Sequence, residues 1–143
     1  MVDCVFCDIV KGRAPCHRVA ESSLALAFLD IHPLTEGHCL VVPKRHVVFW
    51  HDLSGEECTA LFGLAHGVAG RLMRAYRPEF VSVYARGRRV PHAHLFVVPA
   101  YTGDLYDREF SRLEQLQEGS PELEALRSPR ALAAAAARLG GGL

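Results

Sequence analysis

The sequence has no surplus of either charge. Sixteen Lys and Arg balance sixteen Asp and Glu among 143 residues. That argues against a partner held by bulk electrostatics, whether nucleic acid or an anionic membrane surface. The one basic cluster, Arg86, Arg88 and Arg89, is local and reads as a solvated hairpin. No apolar run reaches the roughly 18 residues a membrane-crossing helix needs. The start, Met1-Val2-Asp3-Cys4, lacks the layout of a secretory signal. No internal repeat is found. The cysteines, Cys4, Cys7, Cys16, Cys39 and Cys58, are odd in number, which does not suit full disulfide pairing. The expectation is a soluble cytoplasmic protein with no nucleic-acid or membrane partner. Its thiols should be reduced, serving as metal ligands or buried side chains.

What is present suits one domain. A chain of this length buries about two thirds of its unfolded surface. The apolar positions Leu61, Leu64, Ala65, Val68 and Leu72 make one helical stripe. Ser54 with Glu57 three residues on is a capping box that starts this helix, and Pro78 ends it. His66 lies beside the stripe and reads as a packed or surface side chain. Strands are expected at Cys16 to Ala20, Leu24 to Asp30, His38 to Pro43 and Phe80 to Ala85. A short helix should follow Cys4 and stop at Gly12. The last strand is expected to run through Val90-Pro91-His92-Ala93-His94-Leu95-Phe96-Val97-Val98-Pro99, with His92, His94, Phe96 and Val98 on one face. The class is α+β: an antiparallel sheet covered by one long helix. Residues 1–103 form the domain and 104–143 a helical and irregular tail, packed on the same domain or on a partner subunit. Within the tail, Ser111 to Leu116 and the alanine-rich Ala131 to Leu139 are helix-prone, and Gly140-Gly141-Gly142 should fray.

Two groups of side chains carry chemistry. Cys4 and Cys7 form a Cys-x-x-Cys pair, which suits a redox pair, a metal knuckle or neither. A redox pair is expected between a strand and a helix, and the three residues ahead of Cys4 leave no room for a strand. A metal knuckle needs two more ligands, for which His46 and His92 are candidates in a Cys2His2 set. The second group is His94 with His38. A histidine can attack phosphorus and form a covalent phosphoramidate if one ring nitrogen is free and the other is held by an acceptor. The plainer alternative is a buried histidine satisfied by a backbone carbonyl.

These stretches resemble the histidine triad (HIT) family. The His92 stretch is similar to its signature, in which histidines alternate with apolar residues. Cys4 to Gly12, Leu26 to Pro33 (LAFLDIHP) and Gly37 to His46 (GHCLVVPKRH) agree with it in order and spacing. The resemblance covers roughly residues 3 to 100. It implies a HIT-like fold with a short N-terminal zinc-knuckle helix, as in zinc-carrying bacterial members. It implies that His94 is the nucleophile taking a nucleotidyl group from a phosphate ester, anhydride or phosphoramidate, with His38 near the transferred phosphate. It implies that Phe28 and Ile31 pack on a purine and that Asp30 accepts from the ribose hydroxyls. Cys4, Cys7, His46 and His92 are then ligands of a structural zinc ion, and the protein is a homodimer with joined sheets.

The departures are specific. Phe96 stands at the third triad position, where the family carries His or Gln. Phenylalanine has no hydrogen-bonding group. Removing one donor of the oxyanion type costs about 10²–10³ in rate. The approach, Ser82 to Arg89 (SVYARGRR), has no asparagine, and Arg88 occupies the usual glutamine position, where a guanidinium suits phosphate. Three readings follow: a hydrolase or transferase, a purine-nucleotide-binding domain without turnover, and a fold in which His92 and His94 serve only metal and packing.

Overall fold

The computed structural model describes residues 3–140. The expected fraying at Gly141 and Gly142 lies outside them. The elements are α1 (Val5–Val10), β1 (Arg18–Glu21), β2 (Ala25–Leu29), β3 (Cys39–Pro43), α2 (Gly55–Tyr76), β4 (Phe80–Tyr84), β5 (Leu95–Ala100), α3 (Leu105–Gly119) and α4 (Pro129–Leu139). A single-turn 3-10 segment lies at Trp50–Asp52 and a longer one at Pro121–Arg127. Two compact units divide between Tyr106 and Asp107.

In the first unit five strands form one antiparallel sheet in the order β1-β2-β3-β5-β4. The strands β2 and β3 are near-continuous apolar runs because both of their faces are covered. On one face, Ala25, Ala27, Cys39, Val41, Leu95 and Val97 meet Leu61, Ala65, Val68 and Leu72 of α2. On the other, Leu26, Phe28, Leu40 and Val42 meet Cys4, Phe6 and Ile9 in and beside α1. The six-residue α1 would not hold alone in water; its buried Phe6 and Ile9 hold it to the sheet.

Local chemistry sets the ends of α2. The Ser54 hydroxyl accepts from the Glu57 amide (3.2 Å), and the Glu57 carboxylate accepts from the Ser54 amide (2.9 Å). Arg45 grips that carboxylate through two contacts of 2.6 and 2.7 Å. At the far end Arg77 turns left-handed (φ 50) before Pro78. Of the expected stripe, Leu64 is only partly buried and the rest is buried, while His66 is exposed.

The last strand begins later than its sequence alternation suggests. β5 starts at Leu95, so His92 and His94 lie in the approach to it. Pairing with β3 begins at Val41–Leu95 and pairing with β4 at Tyr84–Phe96. Ahead of these pairs the chain bends: the His92 amide donates to Val90 O (2.8 Å) and the Ala93 amide to Val47 O (2.6 Å). Pro91 supplies no amide for a ladder. Sequence periodicity runs straight through this point because it does not register where strand partners stop.

The second unit comprises the rest of α3, the 3-10 segment and α4. Ser128 caps α4 by accepting from the Ala131 amide (3.1 Å), with Pro129 in its first turn. An Arg127 guanidinium N–H donates to the Gln117 carbonyl. The helix α3 spans 15 residues, well beyond the expected Ser111 to Leu116. Among the described residues no helix is long and apolar enough to cross a membrane.

Candidate active site and metal centre

Two buried histidines on the approach to β5 serve separate groups. The ring of His92 points to the cysteines. Its Nε2 lies 2.8 Å from the Pro43 carbonyl oxygen. A carbonyl only accepts, so the proton sits on Nε2 and Nδ1 carries a free lone pair. That Nδ1 is 3.4 Å from Cys4 Sγ and 3.5 Å from Cys7 Sγ. His46 Nδ1 lies 3.2 Å from Cys7 Sγ. The four ligand atoms all fall within 4.8 Å of one another. Tetrahedral zinc with bonds of about 2.0–2.3 Å separates its N and S ligands by about 3.3–3.8 Å. The three contacts of 3.2–3.5 Å lie close to that spacing, and two thiols with two imidazoles are a set that zinc accepts.

The local fold explains the cluster. Cys4 is the N-cap of α1 and Cys7 lies one turn on, so both sulfurs end up at the start of that helix. The Cys7 amide donates to Cys4 Sγ (3.5 Å). Without a cation, burial and then the neighbouring Cys4 push the Cys7 thiol up. Burial likewise holds His92 below the usual imidazole range, in the neutral form a metal requires.

His94 has the opposite arrangement. Its Nδ1 is 2.7 Å from the carbonyl oxygen of His92. Nδ1 therefore carries the proton, and Nε2 is the nitrogen left free. The Phe6 ring meets the His94 ring edge-on (centroids 5.2 Å, 83°) and the His92 ring likewise (5.9 Å, 76°). Phe6 thus packs against both histidines, and no sequence signal beyond its apolar character marked it.

His38 is buried at the start of β3. Its Nδ1 accepts from the Leu34 amide (3.1 Å), which places the proton on Nε2. That Nε2 lies 3.6 Å from Asp30 Oδ2, too far for a hydrogen bond. Among the described residues it is the one buried side-chain N or O atom without a hydrogen-bond partner. Burial lowers the His38 pKa, and the Asp30 charge opposes that in part. Asp30 Oδ1 is engaged by the His32 amide (2.8 Å). Phe96 faces both catalytic candidates, with centroids 5.7 Å from His38 and 4.9 Å from His94. A polar atom lacking a partner therefore belongs to a ring packed on a side chain that cannot supply one.

The expected nucleotide contacts are spread differently. Phe28 is buried with its ring edge against Phe6 (5.6 Å). Ile31 is 81% exposed. Arg88 is exposed. The loop residues that line a cavity at His94 are instead Ala85, Arg86 and Gly87, facing Val48, Phe49, Trp50 and His51 across about 180 Å³. The segment after His46 has no strand or helix period, so its place beside His94 is invisible in sequence. Gly87 (φ 58) brings bare backbone to the His94 ring; a Cβ there would sit 3.8 Å from Cε1.

The α+β domain thus sets an anchored histidine with a free Nε2 directly beside a Cys2His2 cluster. The chain belongs to the HIT domain family, whose family model matches residues 11–103. An adenosine 5'-monophosphoramidase of Schizosaccharomyces pombe is 41% identical over 103 residues, spanning 68% of this chain and 74% of that protein. An adenosine 5'-monophosphoramidase of Saccharomyces cerevisiae is 34% identical over 101 residues, spanning 67% of this chain and 61% of that one. The crystal structure of a zinc-bound histidine triad protein from Mycobacterium smegmatis superposes with a TM-score of 0.68 at 31% identity, covering 82% of this chain and 98% of that one.

Proposed function

We propose that this protein is a HIT-type hydrolase or nucleotidyl transferase that opens a nucleoside phosphoramidate, ester or anhydride through a nucleotidyl-His94 intermediate. The observation that carries the reading is the 2.7 Å contact between His94 Nδ1 and the His92 carbonyl, which fixes the tautomer of a nucleophile. For a phosphoramidate, the Nε2 lone pair forms a bond to phosphorus as the P–N bond to the amine breaks. The amine leaves with the bonding pair and takes a proton from solvent. Water then attacks the same phosphorus, the pair returns to Nε2, and the proton of the water goes to solvent. His38 Nε2–H is the donor available to a phosphoryl oxygen, and Asp30 the acceptor for ribose hydroxyls.

The same reading assigns a structural zinc ion to Cys4, Cys7, His46 and His92. When bound, it would hold α1 to the approach of β5; the reaction is carried by the histidines. Reduced thiol ligands suit a cytoplasmic protein. A homodimer is supported by the sheet: β4 is an edge strand with Phe80 and Val83 exposed, and an uncovered edge invites pairing.

A second reading, nucleotide binding without turnover, is favoured by Phe96 and by the missing asparagine in the approach to His92. One assay separates the two. Purified protein should release AMP from adenosine 5'-phosphoramidate, and His94→Ala should abolish it. AMP binding by calorimetry without turnover would select the second reading; neither turnover nor binding would sink both.

A further inference from the structure

The cavity at His94 is too small to hold a whole nucleotide. Its volume of about 180 Å³ is below the range of roughly 300–1,000 Å³ usual for whole drug-sized ligands. Phe28, Asp30 and Ile31, the residues assigned to base and ribose, are not among its lining. Its walls are unusual for their position. Phe49 is 49% and Trp50 43% exposed, on adjacent residues at a single-turn 3-10 segment. Single exposed apolar side chains are ordinary; a concave cluster of them around a reactive group signals a ligand. The Phe49 and His51 rings are parallel within 5° at 5.3 Å, and Trp50 meets Phe62 edge-on at 6.0 Å. These contacts hold the rings in place without burying them. Ala85 and Gly87 keep the facing wall low, and Arg86 sets a guanidinium beside it.

We propose that this cavity is the subsite for the group leaving phosphorus, and that it selects a planar aromatic amine. The proposal rests on the functional reading above. With phosphorus at His94 Nε2, the nucleoside occupies the Phe28–Asp30 side and the other substituent faces Val48 to His51. Flat rings stack on the aromatic wall, and Arg86 offers a cation to the π face. A small aliphatic amine leaves that wall wet. The step proposed above is unchanged: the P–N bond breaks and the amine departs with its electron pair and a solvent proton.

The test compares N-benzyl with N-methyl adenosine 5'-phosphoramidate. Wild type should favour the benzyl compound in kcat/KM by about tenfold or more, the scale of discrimination expected of an apolar pocket. Phe49→Ala and Trp50→Ala should each collapse that ratio, while Trp50→Phe should largely keep it. A ratio near one in wild type, or one that survives both alanine substitutions, overturns the subsite. If wild type turns over neither compound, the hydrolysis reading fails and binding decides. Trp50 is the sole tryptophan, so its fluorescence reports the cavity directly. Tighter binding of the benzyl than the methyl compound, by about tenfold, with a change in that fluorescence supports the subsite; equal affinities overturn it.

Discussion

The ring of Phe96 lies flat on that of Tyr84, with centroids 4.6 Å apart and planes within 11°. The residue at the third triad position is therefore packed into the sheet by a strand neighbour, since Tyr84 and Phe96 are register partners. Phe96→His should trade packing for chemistry. It loses an aromatic pair of about 0.5–1.5 kcal/mol and gains a donor facing His94 and His38. Turnover of adenosine 5'-phosphoramidate is expected to rise, up to about 10²-fold, with a lower Tm. Steady-state kinetics beside a thermal melt check both, and a variant no faster than wild type would show that the missing donor is not the limit.

Metal content gives a second expectation. Purified protein should hold one zinc ion per chain by elemental analysis, and cobalt in its place should show thiolate charge-transfer absorption. Stripping with a strong chelator should lower Tm, because a ligand bound only to the folded state stabilises it. Cys7→Ser should lose both the metal and the chelator effect. A Tm indifferent to chelation would remove the site.

Stability should fall between neutral and mildly acidic pH partly through His38. Burial lowers its folded pKa below the unfolded value of 6.5. The unfolded chain then binds the proton more readily, so stability is full above pH 6.5 and is lost as pH falls through that value toward the folded pKa. His38→Gln should flatten this part of the curve. Urea melts at several pH values measure it; equal slopes for wild type and variant would contradict the assignment.

The thiols should differ in reactivity. Burial pushes Cys39 up to about 11, and its Sγ donates to the Gly37 carbonyl. Cys16 and Cys58 are only partly buried. At neutral pH a thiol reagent should label Cys16 and Cys58 in the native protein and reach Cys39 only on unfolding, as peptide mapping would show. Rapid native labelling of Cys39 would contradict its burial.

Removing the cap of α2 offers a stability check independent of the site. Ser54→Ala should cost about 1 kcal/mol with unchanged AMP binding. A null effect in chemical denaturation would mean that Arg45 and Glu57 hold the helix start without it.

Legibility in the sequence followed the range of the signal. The Ser54–Glu57 cap and the Leu61–Leu72 stripe are local, and the helix starts and packs where they put it. β2 and β3 were readable because coverage on both faces makes them apolar throughout. The start of β5 was not, since it depends on where Val41 and Tyr84 stand in space. The same holds at the site. Cys4 and Cys7 were visible as a pair, but spacing left open which histidines meet them. Phe6 and the Val48–His51 wall had no periodic mark. Phe6 reaches His94 because α1 docks on the sheet, and the wall because contacts such as Ala93 to Val47 set its loop.

His92 contributes its ring to the cysteine cluster and its carbonyl oxygen to His94. A genetic screen that scores metal retention and catalysis as separate traits should therefore find them inseparable at this codon. The ring, held between Pro43 O and the cysteines, steadies the same peptide plane that aims the nucleophile. Suppressors would have to arise elsewhere in the chain, along the Pro43 segment that holds the other edge of the same ring.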